Sequence, residues 1–190
     1  MTNDRDLIKR IKSGDRDAFY PLIEGYKRLV YHIVYRMMAN ETDREDLCQD
    51  IFIKVYENLA TFQHESRLST WIAKIAYNTC INALRKKKVP LYEDHAADGE
   101  SIETCLGASD LPDEVTEEQD LSARLQSEIC KLPATFRTIL TLFHVEEMSY
   151  AEIAAITNLP DGTVKNTLFR ARRLLKERLL DKYHQEELWH

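Results

Sequence analysis

Apolar residues recur along this chain at spacings of three and four and almost nowhere alternate with polar ones, which predicts a protein built from amphipathic helices. Leu7, Ile8 and Ile11 give a short helix that Gly14 and Asp15 stop. Phe19, Leu22, Ile23, Tyr26, Leu29, Val30, Ile33 and Val34 supply the apolar face of a long helix over about 17–39, with Pro21 tolerated in its first turn. After a break at 40–43, where Thr42 or Asp43 is the expected cap, Leu47, Ile51, Val55 and Leu59 mark the core side of a third helix. Asp46, Gln49, Asp50 and Glu57 lie opposite, with Ile53 standing among them. An isoleucine inside a carboxylate patch suits a protein partner with an apolar centre and a basic rim. A solvated helix with one stray apolar residue has the same pattern.

Residues 61–69, TFQHESRLS, are too polar and irregular for a regular element and are expected to form a loop. Ser69 or Thr70 then caps a helix reaching about residue 88, and its apolar residues do not keep to one side. Ile72, Ile75, Ala76 and Ala83 form one group and Tyr77, Ile81 and Leu84 the other. Between them runs a stripe of Trp71, Asn78, Asn82 and Arg85, and the helix closes in Arg85, Lys86, Lys87 and Lys88. Aromatic, amide and basic groups in one stripe suit an unpaired nucleic-acid strand. The bland uses are a core tryptophan and a basic end that complements the helix dipole.

Further on, Leu121, Leu125, Ile129 and Leu132 predict another helix, and Phe136, Ile139, Leu140, Leu142 and Phe143 a further one after Pro133. The stretch from 149 to 179 carries the strongest local signal. Ser149 and Glu152 stand at capping-box spacing, so a helix starts there with Ile153, Ala154 and Thr157 inward. Asn158, Leu159 and Pro160 interrupt it, since proline disfavours a helical residue before it. A second helix starts near 161–163 with Val164, Leu168, Ala171 and Leu175 inward and Thr163, Asn166, Arg170 and Arg173 outward, flanked by Lys165, Arg172 and Lys176. This is the plan of a helix-turn-helix whose second, basic helix fits a major groove. A solvated charged helix closing a bundle is the alternative that the pattern alone leaves open.

Composition sharpens this picture. Five glycines and five prolines in 190 residues agree with an almost wholly helical chain. No apolar run approaches the roughly 20 residues that cross a bilayer, and the opening MTNDRDLIKR is polar, so a cytoplasmic protein without membrane insertion is expected. Cys48, Cys80, Cys105 and Cys130 and the six histidines are dispersed without a ligand-like pair, which favours reduced thiols and no metal or cofactor. No nucleophile motif or phosphate-cradling glycine loop stands out, so no enzyme is expected.

The net charge of −6 at first opposes a polyanionic partner. Its distribution reverses that impression. Residues 1–88 carry 16 basic and 12 acidic side chains, residues 89–120 carry 11 acidic and none basic, and residues 121–190 carry 10 basic and 9 acidic. The negative excess is thus confined to one segment, which reads as an acidic flexible linker between two helical domains, 1–88 and 121–190.

With both modules in view, the chain resembles the extracytoplasmic-function sigma factors of the sigma-70 family. The resemblance rests on DLCQDIFIKVY at 46–56 and TFQHESRLSTWIAKIAYNTCINALRKKK at 61–88 in the first module. In the second it rests on LPATFRTILTL at 132–142 and MSYAEIAAITNLPDGTVKNTLFRARRLLKERL at 148–179. It implies an all-helical fold, with a sigma region 2 bundle and a sigma region 4 helix-turn-helix, and a non-catalytic role in promoter recognition. Asp46, Gln49, Asp50 and Ile53 would then face core RNA polymerase. Gln63, His64, Glu65 and Ser66, with Trp71, Asn78, Asn82 and Arg85, would hold and melt the −10 element of promoter DNA, where one base is flipped from the stack. Thr163, Lys165, Asn166, Arg170, Arg172, Arg173 and Lys176 would serve the −35 element. An anti-sigma factor is an expected partner. A stand-alone helix-turn-helix regulator binding duplex operator DNA is the competing function.

Overall fold

The computed structural model describes residues 4–87 and 117–182, and the side chains of these apart from 117–123. Regular structure among the described residues is entirely helical, as the spacing of apolar positions predicts. Helix α1 (Asp4–Lys12) turns Leu7, Ile8 and Ile11 into the core. The Tyr26 hydroxyl donates to Asp4 at 2.6 Å and ties α1 to α2 (Phe19–Met37). Burial first, and then the Asp4 carboxylate, raise the Tyr26 pKa, so the phenol stays a donor. The long helix starts later than residue 17 because Gly14, at φ +96, lets the chain reverse, and Asp15 then caps a short 3-10 turn at Arg16–Ala18.

Helix α3 (Glu41–Asn58) is capped by Asn40, whose side chain accepts from the Asp43 amide at 3.2 Å. Asn40 is extended at φ −78, ψ 132 and comes first in the chain, so Thr42 and Asp43 fall inside the helix instead of capping it. Ile51 and Val55 are buried, as is Leu59 in the 3-10 turn that follows. Periodicity did not foresee Arg44, which is 2% exposed. Its Nε donates to the Met38 carbonyl at 2.8 Å and its guanidinium lies 4.7 Å from the Tyr35 ring centre, so the backbone and a π face take the place of water.

Helix α4 (Leu68–Lys86) starts ahead of the expected caps, and Ser69 and Thr70 lie in its first turn. Buried Phe62 and Leu68 anchor the two ends of the preceding loop, and Thr70 directs its hydroxyl to Glu152 in the second module at 3.3 Å instead of capping. That contact also explains why α4 is apolar on two sides. One side packs on α2 and α3, and the other on α7 (Tyr150–Thr157).

The second module comprises α5 (Glu117–Cys130), α6 (Ala134–His144), α7 and α8 (Asp161–Lys182). Helix α5 begins inside the segment read as an acidic linker, the remainder of which lies outside the described residues. Both halves of the Ser149–Glu152 capping box form, and Asn158 ends α7 in the left-handed region at φ 55. Glu128 is 2% exposed and accepts from Lys131 at 2.6 Å and Lys182 at 2.9 Å, which fastens α5 to the far end of α8. The buried Cys48 and Cys80 thiols are each pushed up to about 12, chiefly by desolvation, and stay protonated.

The modules lie against each other, α2 on α6 and α4 on α7. His32 Nδ1 and Glu146 Oε1 are 2.5 Å apart, Arg36 reaches Gln126, and Arg137 donates to the Arg36 carbonyl at 2.7 Å. Arg67 lies 3.6 Å from Glu152.

Two carboxylates, Glu128 within the second module and Glu152 between the modules, tie stability to pH. Burial alone raises the Glu128 pKa, but Lys131 and Lys182 outweigh it and the net shift is downward. The Ser149 amide and hydroxyl lower that of Glu152 against the opposing effect of burial, and Arg67 and Thr70 add to the lowering. Both groups are more acidic folded than unfolded, so their stabilisation is whole above the ordinary value of 4.5 and is lost as pH falls through the depressed folded values. Denaturant midpoints followed by circular dichroism are expected to fall below about pH 4.5, and Glu128→Gln with Glu152→Gln to flatten that fall.

Candidate nucleic-acid interface

Three surfaces carry the residues singled out in the sequence. The first is a groove of about 1040 Å³ between α2 and α3, floored by Phe19, Ile23 and Phe52 and edged by Tyr31, Ile53 and Tyr56. Ile53 is 55% exposed and Tyr56 41%, an arrangement that leaves apolar area for another molecule. Gln49 lines this groove beside Ile53, with Lys27 and Glu57 at its rim. Asp46 and Asp50 are exposed on α3 and do not line it. Tyr20 and Tyr31, both exposed on α2, are features that the sequence reading missed. Their signal was a tyrosine on the polar side of an amphipathic helix.

The second surface joins the loop before α4 to the α4 stripe. Gln63, His64, Glu65 and Ser66 are all exposed, and His64 takes a positive φ of 60. Phe62 is the hidden organiser. Its ring lies 4.7 Å from the His64 ring and 5.3 Å from that of Trp71, so the loop tip and the helix stripe share one aromatic platform. Trp71 and Asn78 are half-buried, and Asn82 and Arg85 are exposed along the same stripe. A half-buried tryptophan edge beside amides and a guanidinium can stack on an unpaired base and hold its backbone.

The third surface is α8. Val164, Leu168 and Ala171 are buried against the module core, while Thr163, Lys165, Asn166, Arg170, Arg172, Arg173 and Lys176 are all exposed. The cations do not form one uniform patch. Lys165 lies over the Tyr150 ring at 5.4 Å, Arg170 over Phe136 at 5.6 Å and Arg172 over Phe143 at 5.1 Å, whereas Arg173 pairs with Glu177 at 3.6 Å. Among them stands Phe169, 64% exposed. It falls three positions after Asn166 and four after Lys165, on the side that periodicity assigns to water, so the sequence held the signal although the aromatic was passed over.

Comparison with known proteins matches both modules. Residues 22–89 fit the family model for Sigma-70 region 2 and residues 122–175 that for Sigma-70 region 4. The ECF RNA polymerase sigma factor SigW of Bacillus subtilis is 37% identical over 178 residues, 92% of this chain and 95% of that protein. The chain belongs to the sigma-70 family, among its ECF sigma factors. The ECF RNA polymerase sigma-E factor of Escherichia coli K12 is 32% identical over 180 residues, 93% of this chain and 94% of that one. The fold is also that of CnrH, solved in complex with the cytosolic domain of CnrY, at a TM-score of 0.66 and 22% identity over 95% of this chain and 99% of that chain. A sigma factor RpoE solved with the anti-sigma factor NepR, from Bartonella quintana, gives 0.64 and 23% over 87% and 98%.

On a helix that enters a DNA groove, as α8 is expected to, an exposed aromatic such as Phe169 has a ligand in the thymine methyl group. With a −35 duplex whose thymines are replaced one at a time by deoxyuridine, wild-type binding is expected to weaken a few-fold at one position. Phe169→Ala is expected to bind both duplexes equally and as weakly as wild type binds the demethylated one, measured by fluorescence anisotropy.

Proposed function

We propose that this ECF sigma factor docks on core RNA polymerase through the α2–α3 groove and α3, with Ile53 at the centre and Asp46, Gln49 and Asp50 around it. The 63–66 loop and the Trp71, Asn78, Asn82 and Arg85 stripe take the opened −10 strand. Thr163, Lys165, Asn166, Arg170, Arg172, Arg173 and Lys176 meet the −35 duplex, the asparagine and central arginines at base edges and the flanking cations at phosphates. The protein supplies specificity and strand separation rather than bond chemistry, and it works in the cytoplasm. What carries this reading is the pairing of two unlike grips on one chain: an aromatic platform beside a polar loop, and a basic helix behind a capped turn.

The packed modules add a condition. The names of the two elements place them about 25 positions apart, roughly 85 Å of B-form duplex at 3.4 Å per step, a span that α7 resting on α4 does not cover. The modules therefore separate when the factor joins polymerase and promoter. Fluorophores at 32 and 146 are expected to lose energy transfer on addition of core polymerase and promoter. Unchanged transfer in a transcribing complex would contradict the separation.

A partner that grips both modules at once would block this opening, and an anti-sigma factor is the class that fits. CnrH was solved with the cytosolic domain of CnrY, and the Bartonella factor with the anti-sigma factor NepR.

Run-off transcription separates the sigma reading from a stand-alone regulator. Purified protein with core polymerase is expected to yield transcript from a fragment carrying its own promoter, and neither component alone to do so. Arg170→Ala is expected to cost about 1–3 kcal/mol and relax specificity at one −35 position, and Lys165→Ala to weaken all sequences evenly with the salt slope reduced by about 1. Tight operator binding without polymerase, and no product with it, would favour the regulator.

A further inference from the structure

His144, the last residue of α6, belongs to none of the three surfaces, yet it holds one of their cations. Its Nε2 lies 3.2 Å from Arg172 Nε and 3.0 Å from Arg172 Nη2. A guanidinium has only donors, so this ring nitrogen accepts both bonds and the proton of the neutral imidazole sits on Nδ1. Beneath the pair, the Phe143 ring packs 5.0 Å from the imidazole and 5.1 Å from the Arg172 guanidinium carbon. The same ring stacks on Tyr150 at 5.1 Å, over which Lys165 is held. Two cations seven residues apart on α8, about 10 Å along its axis, thus rest on one ladder of rings.

This geometry leaves a defined remainder. Of the five guanidinium N–H groups, Nε–H and one Nη2–H turn inward to His144. The three on the outer edge form the fork that binds an oxyanion by two parallel bonds. A long side chain that is already oriented loses less freedom when it binds. We infer that His144 is the positioning residue for Arg172, holding its guanidinium as a fixed fork for a phosphate of the DNA backbone beside the −35 groove. The imidazole stays neutral in this role because burial, and then the charge of Arg172, lower its pKa. The inference rests on the reading of α8 as the −35 helix.

Two measurements test it. The first needs no DNA: long-range proton–nitrogen NMR on the full chain is expected to show His144 with Nδ1 protonated and Nε2 bare at neutral pH. The opposite tautomer, or a charged ring, would overturn the inference. The second uses holoenzyme with core RNA polymerase and a duplex that the wild-type holoenzyme has enriched from a randomised library. Arg172→Gln is expected to weaken binding about five- to tenfold and to reduce the salt slope by about 0.9, the value of one phosphate contact. His144→Ala is expected to weaken binding about threefold, with the slope kept, because no charge is lost. His144→Gln, whose amide oxygen can accept, is expected to recover most of that loss, and the His144→Ala, Arg172→Gln double variant to bind no worse than Arg172→Gln alone. If Arg172→Gln changes nothing, the DNA contact itself is wrong. If its effect stands but the two losses multiply in the double variant, the contact survives and the positioning role is overturned.

Discussion

Helix α6 is enclosed, and the joining of the two modules follows from that. Eight of its eleven residues are buried, more than one neighbour can cover, since a helix facing a single core hides a stripe only somewhat over 100° wide. The remaining cover comes from opposite directions: α8 and α7 from its own module, α2 from the first. Ile139 and Leu142 are fully buried. Arg137 reaches across to the Arg36 carbonyl, and Thr141 lies one turn further along the same side.

The same helix, with α7, sets the electrostatic layout of α8. Phe136 and Phe143 on α6 and Tyr150 on α7 each lie under a cation of α8. Cation–π contacts at exposed sites are worth about 0.5–1 kcal/mol each, too little to decide the fold but enough to bias where a long side chain points. Lys165, Arg170 and Arg172 are in this way oriented by the module core before any ligand arrives. Phe62 plays the matching part in the first module, where one buried ring aligns His64 of the loop with Trp71 of the helix. In both modules, exposed side chains thus rest on aromatic rings that the core fixes.

Where the sequence could be read and where it could not divides along the range of the interactions. The helices were legible because their apolar positions recur locally, and the start of α7 because a capping box needs only Ser149 and Glu152. Ile53 and the α8 cations were legible as departures from, or continuations of, a helical face. Arg44 was not, because its place in the core depends on a carbonyl six residues back and the Tyr35 ring. The second apolar side of α4 stayed unexplained until α7 was seen against it. Phe62 and Phe169 are both single aromatics beside polar residues, and only their neighbours make one an anchor at 5% exposure and leave the other 64% exposed.

The chemistry between the modules is that of a contact that can part. A permanent interface hides apolar area that water would penalise, whereas transient ones between domains are more polar. Here the apolar second side of α4 lies against α7, and beside it run polar links, His32 with Glu146, Arg36 with Gln126, Arg137 with a carbonyl, and Arg67 and Thr70 with Glu152, groups that water can also serve. The buried hydroxyls need no rescue either, since Thr138 donates to the Ala134 carbonyl and Thr157 to the Ile153 carbonyl within their own helices. Glu152 keeps its bonds to Ser149 whether or not α4 is present. Polar groups of this kind can part without being left bare, since water replaces the partner that moves away.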